Sequence, residues 1–465
     1  MRLCAEAHPK DSPTRKPPST KKEIYSTEKK MRNLFRSLSH DLCWLAVDAC
    51  WQGKWRRNDV LTDIEEWTGY AREELWRAEL AHGGTPYGLK YEIMEERADA
   101  LLEMIEDICL GREVEIDPPV AEPRRDGATG KIREIAYLCM QHQLLGHAVK
   151  LGLEPLFQAR ILPWQHASLP ERGQTGLVRQ ARRYLNRRLG IRCGIKTDCT
   201  SAYASTMYED LCEVLRQEIP RGKWIHACMR KLAQLAPGGH LIIGGYLDAW
   251  LFNWLMSYAL RHVMALYRSR RGNRIPLVIR CETYMDDFCL MGRSESGLQA
   301  AVKELQKWLW EEHRIRLRAT TGVIRLWSVA EERQHKERKS PAGRGCPAID
   351  MAGYCISRSH IRLRKRNARR CLRILRRAWA EYQRTGTMKR QRAGSVIALC
   401  GLAEGSDCYQ LMHKYHGYEL KRIAKRIQGY WSREAARKRK EQLAYVLQKY
   451  GEHGEARCCA GGCAA

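Results

Sequence analysis

The stretch Glu282 to Gly292, ETYMDDFCLMG, constrains this chain more than any other. An apolar strand runs into Tyr284-Met285-Asp286-Asp287, and apolar residues resume at Phe288. Adjacent aspartates between two strand-forming runs predict a tight hairpin turn. Two neighbouring carboxylates repel each other, and burial would raise their pKa. A bound divalent cation removes that penalty. An Asp-Asp surface turn is the bland alternative, and the string alone does not separate the two.

A second segment, GIRCGIKTDCTSAYAST over residues 190–206, sharpens the choice. The predicted strand Gly190–Asp198 ends on a carboxylate, and a small turn-like segment leads to Tyr203. If this strand neighbours the first in one sheet, Asp198, Asp286 and Asp287 form a catalytic, metal-ligating cluster. Such a cluster suits two Mg²⁺ ions, with Mn²⁺ as the alternative, for in-line phosphoryl transfer. A third segment, GKIREIAYL, opens the predicted strand Lys131–Leu138. Lys131 and Arg133 lie two apart and share a face, an arrangement suited to a triphosphate. In isolation the pair also reads as exposed surface charge. A further predicted strand spans Ile275–Tyr284.

Charge narrows the partners. The 465 residues carry 81 Lys+Arg against 53 Asp+Glu, a net charge of +28. That excludes cationic substrates and points to polyanions: nucleic acid, an anionic membrane surface or an acidic protein. More than half of the excess lies between Ile361 and Tyr450. There Ala368, Cys371, Leu372, Leu375, Ala378, Trp379 and Tyr382 form an apolar helical stripe, with the arginines off it. A surface so one-signed favours polyanion binding over a merely solvated face.

The remaining segments read as follows. Residues 1–30 read as a disordered basic tail and 31–125 as a helical N-terminal region, its helical pattern running to about Leu110 with the loop DPPVAEPRRDGATG following. Met94, Ala98, Leu101, Leu102, Ile105 and Cys109 fall at helical spacing, beside an acidic face. The 19 cysteines are scattered, as expected of small buried residues in a reducing compartment. Residues 451–465 are a Cys-rich tail whose Cys458, Cys459 and Cys463 do not complete a tetrahedral zinc set. The most apolar stretch, Gly244 to Leu260, is broken by Asp248 and Asn253 and too short to span a membrane. With no apolar signal core at the N-terminus, a cytoplasmic location is expected.

In order along the chain, these motifs resemble the reverse transcriptase family, particularly bacterial enzymes related to group II intron and retron polymerases. GKIREI looks like the fingers strand that contacts the triphosphate. LEPLFQARILPWQHASLPERGQTG (153–176) is similar to the fingers segment near the template. TDCTSAYAST resembles the first palm motif, HLIIGGYLDAWLFN (240–253) matches a family block at Gly244 and Asn253, and YMDD matches the catalytic motif. IDMAGYCIS (349–357) resembles the primer-grip turn, and SVIALCGLAEGSDCYQLMHKY the thumb helices.

The resemblance implies an α+β right-hand polymerase. Fingers and a ferredoxin-like antiparallel palm occupy 126–360, and a basic helical thumb 361–450. It implies RNA-directed DNA synthesis with Asp198, Asp286 and Asp287 holding metal, and Lys131, Arg133, Tyr203 and Gly244 around the nucleotide. Partners would be an RNA template, a DNA primer and product, dNTPs, and a dedicated non-coding RNA, with no membrane. A ring at Tyr203 would lie under the sugar and clash with a 2′-hydroxyl.

Three positions depart from the pattern. Asp248 replaces a serine, which would bring a carboxylate toward the template or nucleotide path. The lysine usual in the region of LRATTGVIRL (317–326) is absent, with Thr320 or Thr321 there. Met351-Ala352 replace a Phe-Leu pair. The resemblance extends to antiphage-defence enzymes; the alternatives are a mobile or diversity-generating element and a catalytically silent nucleic-acid-binding protein.

Overall fold

The computed structural model describes residues 32–450 except 56, 73, 76–86, 126–129, 131, 188, 319–321 and 338–344. The two expected tails, Lys131, Thr320 and Thr321 therefore lie outside the described residues.

The N-terminal region is helical, as its periodicity predicts. Helices α1 (His40–Trp51), α2 (Asn58–Thr68) and α3 (Tyr87–Leu110) pack together. The Ser39 hydroxyl caps α1 by accepting the Leu42 N–H at 3.2 Å. Met94, Ala98, Leu101 and Ile105 are buried on α3, but Leu102, at the edge of that face, is half-buried, and Cys109, past the last buried residue Ile105, is exposed. Within the apolar stripe Arg97 is fully buried and donates twice to Asp63, at 3.0 and 3.1 Å. Truncating one partner would strand a buried charge.

Strand β1 (Val120–Arg125) pairs antiparallel with β2 (Ile132–Tyr137). This corrects the loop expected over 117–130. Pro123 disguised the strand, yet on a two-stranded, solvent-exposed hairpin a missing N–H is tolerated. The expected division at 125/126 falls inside this hairpin. Helices α4 (Met140–Gly152), α5 (Glu154–Arg160) and α6 (Gln174–Asn186) follow.

The central sheet begins with β3 (Cys193–Asp198). Helices α7 (Tyr208–Glu218), α8 (Lys223–Leu235) and α9 (Tyr246–Ala265) intervene, then a small hairpin of β4 (Tyr267–Arg270) and β5 (Asn273–Pro276). The sheet resumes with β6 (Arg280–Tyr284) and β7 (Asp287–Gly292), and closes after α10 (Glu295–His313) with β8 (Ile324–Arg325). The expected strand Ile275–Tyr284 is thus two strands, the first ending at Pro276, which has no N–H to continue a ladder. The order is β6-β7-β3-β8, all antiparallel, in a β-α-β-β-α-β succession with the helix groups as crossovers.

Both faces of the sheet are covered. Ile195, Cys281, Phe288 and Leu290 join one core with α9 and α10. Cys289 and Met291 join a second core. That core includes the antiparallel sheet of β9 (Ile349–Met351), β10 (Tyr354–Ile356) and β11 (Ile361–Leu363), reached through α11 (Val329–Glu337). Gly194 on β3 admits this layer: a Cβ there would lie 2.7 Å from Ile349 Cδ1. Helices α12 (Lys365–Thr385), α13 (Arg390–Glu404), α14 (Tyr409–Lys414) and α15 (Gly417–Tyr450) complete the chain. On α12 the predicted stripe holds: Cys371, Leu375 and Ala378 are buried and the other four half-buried.

The architecture is mixed α and β, with small antiparallel sheets. The Gly244–Leu260 stretch forms most of α9, inside the first core. Among the described residues no helix is long and apolar enough to cross a membrane. The described cysteines are free and mostly buried.

Candidate active site

The site is built where three strands end. In the β3–β7 ladder Asp198 stands opposite Asp287, and in β6–β7 Tyr284 stands opposite Asp287. Met285-Asp286 is therefore a two-residue turn, with Met285 in the left-handed region at φ 54°. Directly opposed residues share a face, so the Asp198 and Asp287 side chains emerge together and Asp286 sits beside them at the tip. Burial is the first cause raising the Asp286 pKa, and Asp287 and Asp198 raise it further. Asp287 is raised by burial and by Asp198, against the opposing pull of Lys196 and Arg364. The sequence-predicted triad is thus brought together.

Two cations attend it that the sequence reading did not name. Lys196 Nζ lies 3.0 Å from Asp287 Oδ1, and Arg318 Nη1 lies 3.3 Å from Asp198 Oδ2. Lys196 had a signal, because it is two residues before Asp198 on the same strand face. Arg318 had a weaker one: it falls in the segment where the family's lysine is absent. Arg133, exposed on β2, acts electrostatically on Asp286.

The donor chemistry fits hard divalent cations, which take carboxylate oxygens. Among the described residues, however, no group of three or more His, Cys, Asp or Glu is set to hold a metal ion as it stands. Lys196 and Arg318 each engage one carboxylate oxygen, Asp287 Oδ1 and Asp198 Oδ2.

The surrounding residues fix the shape of the site. The Tyr203 ring is stacked on Phe252, with centroids 5.4 Å apart and planes 17° from parallel. Burial, then Asp248 and Asp286, push the Tyr203 hydroxyl pKa up, so the group stays neutral. Gly244 has φ 122°, and a Cβ there would lie 2.6 Å from the Ala136 carbonyl oxygen. Beside it the Ala136 N–H donates to the Ile243 carbonyl at 2.8 Å. Gly244 thereby docks the start of α9 against the strand that bears Arg133.

Asp248 acts electrostatically on Tyr203, but its carboxylate is buried rather than open to solvent. It is 2% exposed and accepts the Ile242 N–H at 2.9 Å and the Tyr208 hydroxyl at 3.1 Å. Burial lifts its pKa to about 6. Its work is to tie the segment before α9 to the first turn of that helix and to α7.

A buried pair behind the hairpin had no local signature at all. His166 Nε2 lies 2.5 Å from Glu282 Oε2, from residues 116 positions apart. Burial pushes Glu282 well up and His166 down to about 4. Around it the His166 N–H donates to the Thr283 carbonyl at 3.1 Å, and the Thr283 N–H to the Trp164 carbonyl at 2.9 Å. Asn253 Nδ2 donates to the Ala167 carbonyl at 3.0 Å and reaches Met285 Sδ at 3.6 Å. The segment 164–167 and α9 together clamp the aspartate turn.

Residues 122–320 match the family described as Reverse transcriptase (RNA-dependent DNA polymerase). The match spans β2, Tyr203, Gly244 and all three aspartates. The chain thus carries a reverse transcriptase domain and is an enzyme, an RNA-directed DNA polymerase of the nucleotidyltransferase class. No curated protein matches the chain.

Proposed function

We propose that the chain extends a primer 3′-hydroxyl with dNTPs on an RNA template, by two-metal phosphoryl transfer at Asp198, Asp286 and Asp287. The observation that carries this is the opposition of Asp198 and Asp287 across β3–β7, with Asp286 at the adjoining turn. In this reading β1–β2 belongs to the fingers, the four-stranded sheet is the palm, β9–β10 bears the primer-grip turn, and α12–α15 form the thumb.

The three carboxylates would hold the metal ions, which supply an activated primer hydroxyl and neutralise the departing pyrophosphate. Lys196 and Arg318, beside Asp287 and Asp198, would face the triphosphate. A guanidinium does not give up its proton, so Arg318 acts as a fixed charge for pyrophosphate where the family's lysine is absent. Arg133, with Lys131 beside it in sequence, contacts the triphosphate from the fingers side. Tyr203, braced by Phe252, lies under the sugar and excludes a 2′-hydroxyl. The new bond joins the primer oxygen to the α-phosphorus; the α–β bridging bond breaks, and pyrophosphate leaves.

Primer extension with Mg²⁺ by wild type and Asp286→Asn is the test, and equal activity would refute the assignment. An antiphage role follows from the resemblance to defence-associated bacterial enzymes. Plating a broad phage panel on cells expressing wild type and an Asp286/Asp287 variant tests it, with identical plaque counts counting against it.

A further inference from the structure

The far end of α12 carries a second basic surface of different character. A groove of about 570 Å³ lies between the end of α12, the 385–389 turn and the middle of α15. Arg384, Lys389, Arg390 and Arg426 line it, together with the rings of Tyr430 and Trp431. Its floor is apolar, from buried Met388 and half-buried Ile427. The one carboxylate lining it, Glu381, is already committed: it pairs with Arg392 and accepts the Lys389 N–H at 2.8 Å. The lining therefore presents four cations with no competing free acid.

The rings distinguish this groove from a generic phosphate-binding face. Tyr430 is 56% exposed and Trp431 41%, set edge-on to one another with centroids 5.9 Å apart. A duplex keeps its base faces internally stacked and offers nothing to such rings. Unpaired bases stack on exposed aromatic side chains while adjacent cations follow the phosphates. An acidic peptide would satisfy the cations but leave the ring faces without flat partners.

The location is also distinct. Arg364, immediately before α12, acts electrostatically on Asp287. The helix has 21 residues, so the groove lies about 30 Å along it from the catalytic end.

We propose that this groove binds a single-stranded segment of RNA, remote from the carboxylates, by stacking unpaired bases on Tyr430 and Trp431 with phosphates on Arg384, Lys389, Arg390 and Arg426. The choice of RNA rests on the RNA-directed reaction; the single-strand preference rests on the groove alone.

The test is equilibrium binding by the full chain without dNTPs, read by fluorescence anisotropy, so it does not depend on catalysis. The probes are a single-stranded RNA of about twelve nucleotides, the same sequence as DNA, and a blunt RNA–DNA duplex of that length. A Tyr430→Ala/Trp431→Ala double variant should lose about tenfold or more in affinity for single-stranded RNA while duplex affinity stays within about twofold. Trp431→Phe should retain binding, and Arg426→Glu should weaken it and flatten its salt dependence. Undiminished RNA binding by the double variant would overturn the site. Equal losses on RNA and duplex would make it a general duplex grip instead. Equal binding of the single-stranded DNA would overturn the RNA assignment, and displacement of the RNA by poly-glutamate would favour a protein partner.

Discussion

Asp198 faces Asp287 across the β3–β7 ladder, and Asp286 shares with Met285 the turn that follows Tyr284. This places one acid on each of two central strands and a third at the tip, where charge can be shared by bound cations. Asp286→Asn should lower primer extension on the order of a thousandfold, because metal charge stabilisation is worth several kcal/mol. Circular dichroism should show an unchanged fold, since the substitution is nearly isosteric.

If the carboxylates hold metal as proposed, Lys196 and Arg318 would compete with it for Asp287 and Asp198. Lys196→Met should lower the half-saturating Mg²⁺ concentration about twofold to fivefold, the range of a partly exposed ion pair. Arg318→Ala should ease metal binding similarly but reduce the maximal rate, because the fixed charge for pyrophosphate is gone. Mg²⁺ titrations of steady-state extension separate the two, and an unchanged maximal rate in Arg318→Ala would remove its catalytic assignment.

Tyr203 is held flat by Phe252, so its position is dictated by the packing of α9. Tyr203→Val should raise ribonucleotide incorporation relative to deoxyribonucleotide by on the order of tenfold or more. Phe252→Leu should give a smaller shift in the same direction by loosening the ring. Competitive incorporation assays measure both, and an unchanged ratio in Tyr203→Val would sink the steric role.

Gly244 combines φ 122° with a backbone oxygen 2.6 Å from where a Cβ would stand. Gly244→Ala should therefore displace β2 or strain the chain, at a cost on the order of 1–3 kcal/mol. The readouts are a higher KM for dNTPs, as Arg133 moves with its strand, and a lower denaturation midpoint.

The buried histidines predict acid sensitivity. His142, His147 and His166 are each pushed by burial to about 4. Below their ordinary pKa the unfolded chain takes up protons that the folded chain refuses, so stability is full above about pH 6.5 and falls toward pH 4. His142 alone accounts for up to about 3 kcal/mol across that window. Asp248 acts oppositely: the folded chain keeps a proton that the unfolded chain releases, so its contribution is greatest at low pH and declines up to about pH 6. Glu282, Asp286 and Asp287 are raised as well and act with Asp248, so urea denaturation between pH 4.5 and 7.5 is read as the slope of each variant against wild type. His142→Gln should lower that slope and Asp248→Asn raise it.

The parts legible in sequence were those with local signatures. Asp286-Asp287 sits between apolar runs, Asp198 closes a strand, and the stripe on α12 follows helical spacing, so each could be read before any contact was known. Val120–Arg125 was misread because Pro123 breaks strand expectation, whereas an exposed hairpin tolerates it. Asp248 was expected toward the template or nucleotide path because it stands where the resembled family has a serine; its partners, the Tyr208 hydroxyl and Ile242 N–H, are set by tertiary packing. His166 and Glu282 meet only through the long-range docking of 164–167 on β6, which no periodicity encodes.

Gly194 has a consequence beyond packing. It lies on the strand that ends at Asp198 and receives Ile349 of the strand leading to the Met351–Tyr354 turn. The hairpin read as holding the primer and the strand read as carrying a metal-binding acid thus meet at this contact. A side chain inserted there would act as a shim. It would change the gap between primer end and acid without altering either, so that binding of primer and of nucleotide could each remain while their alignment was lost.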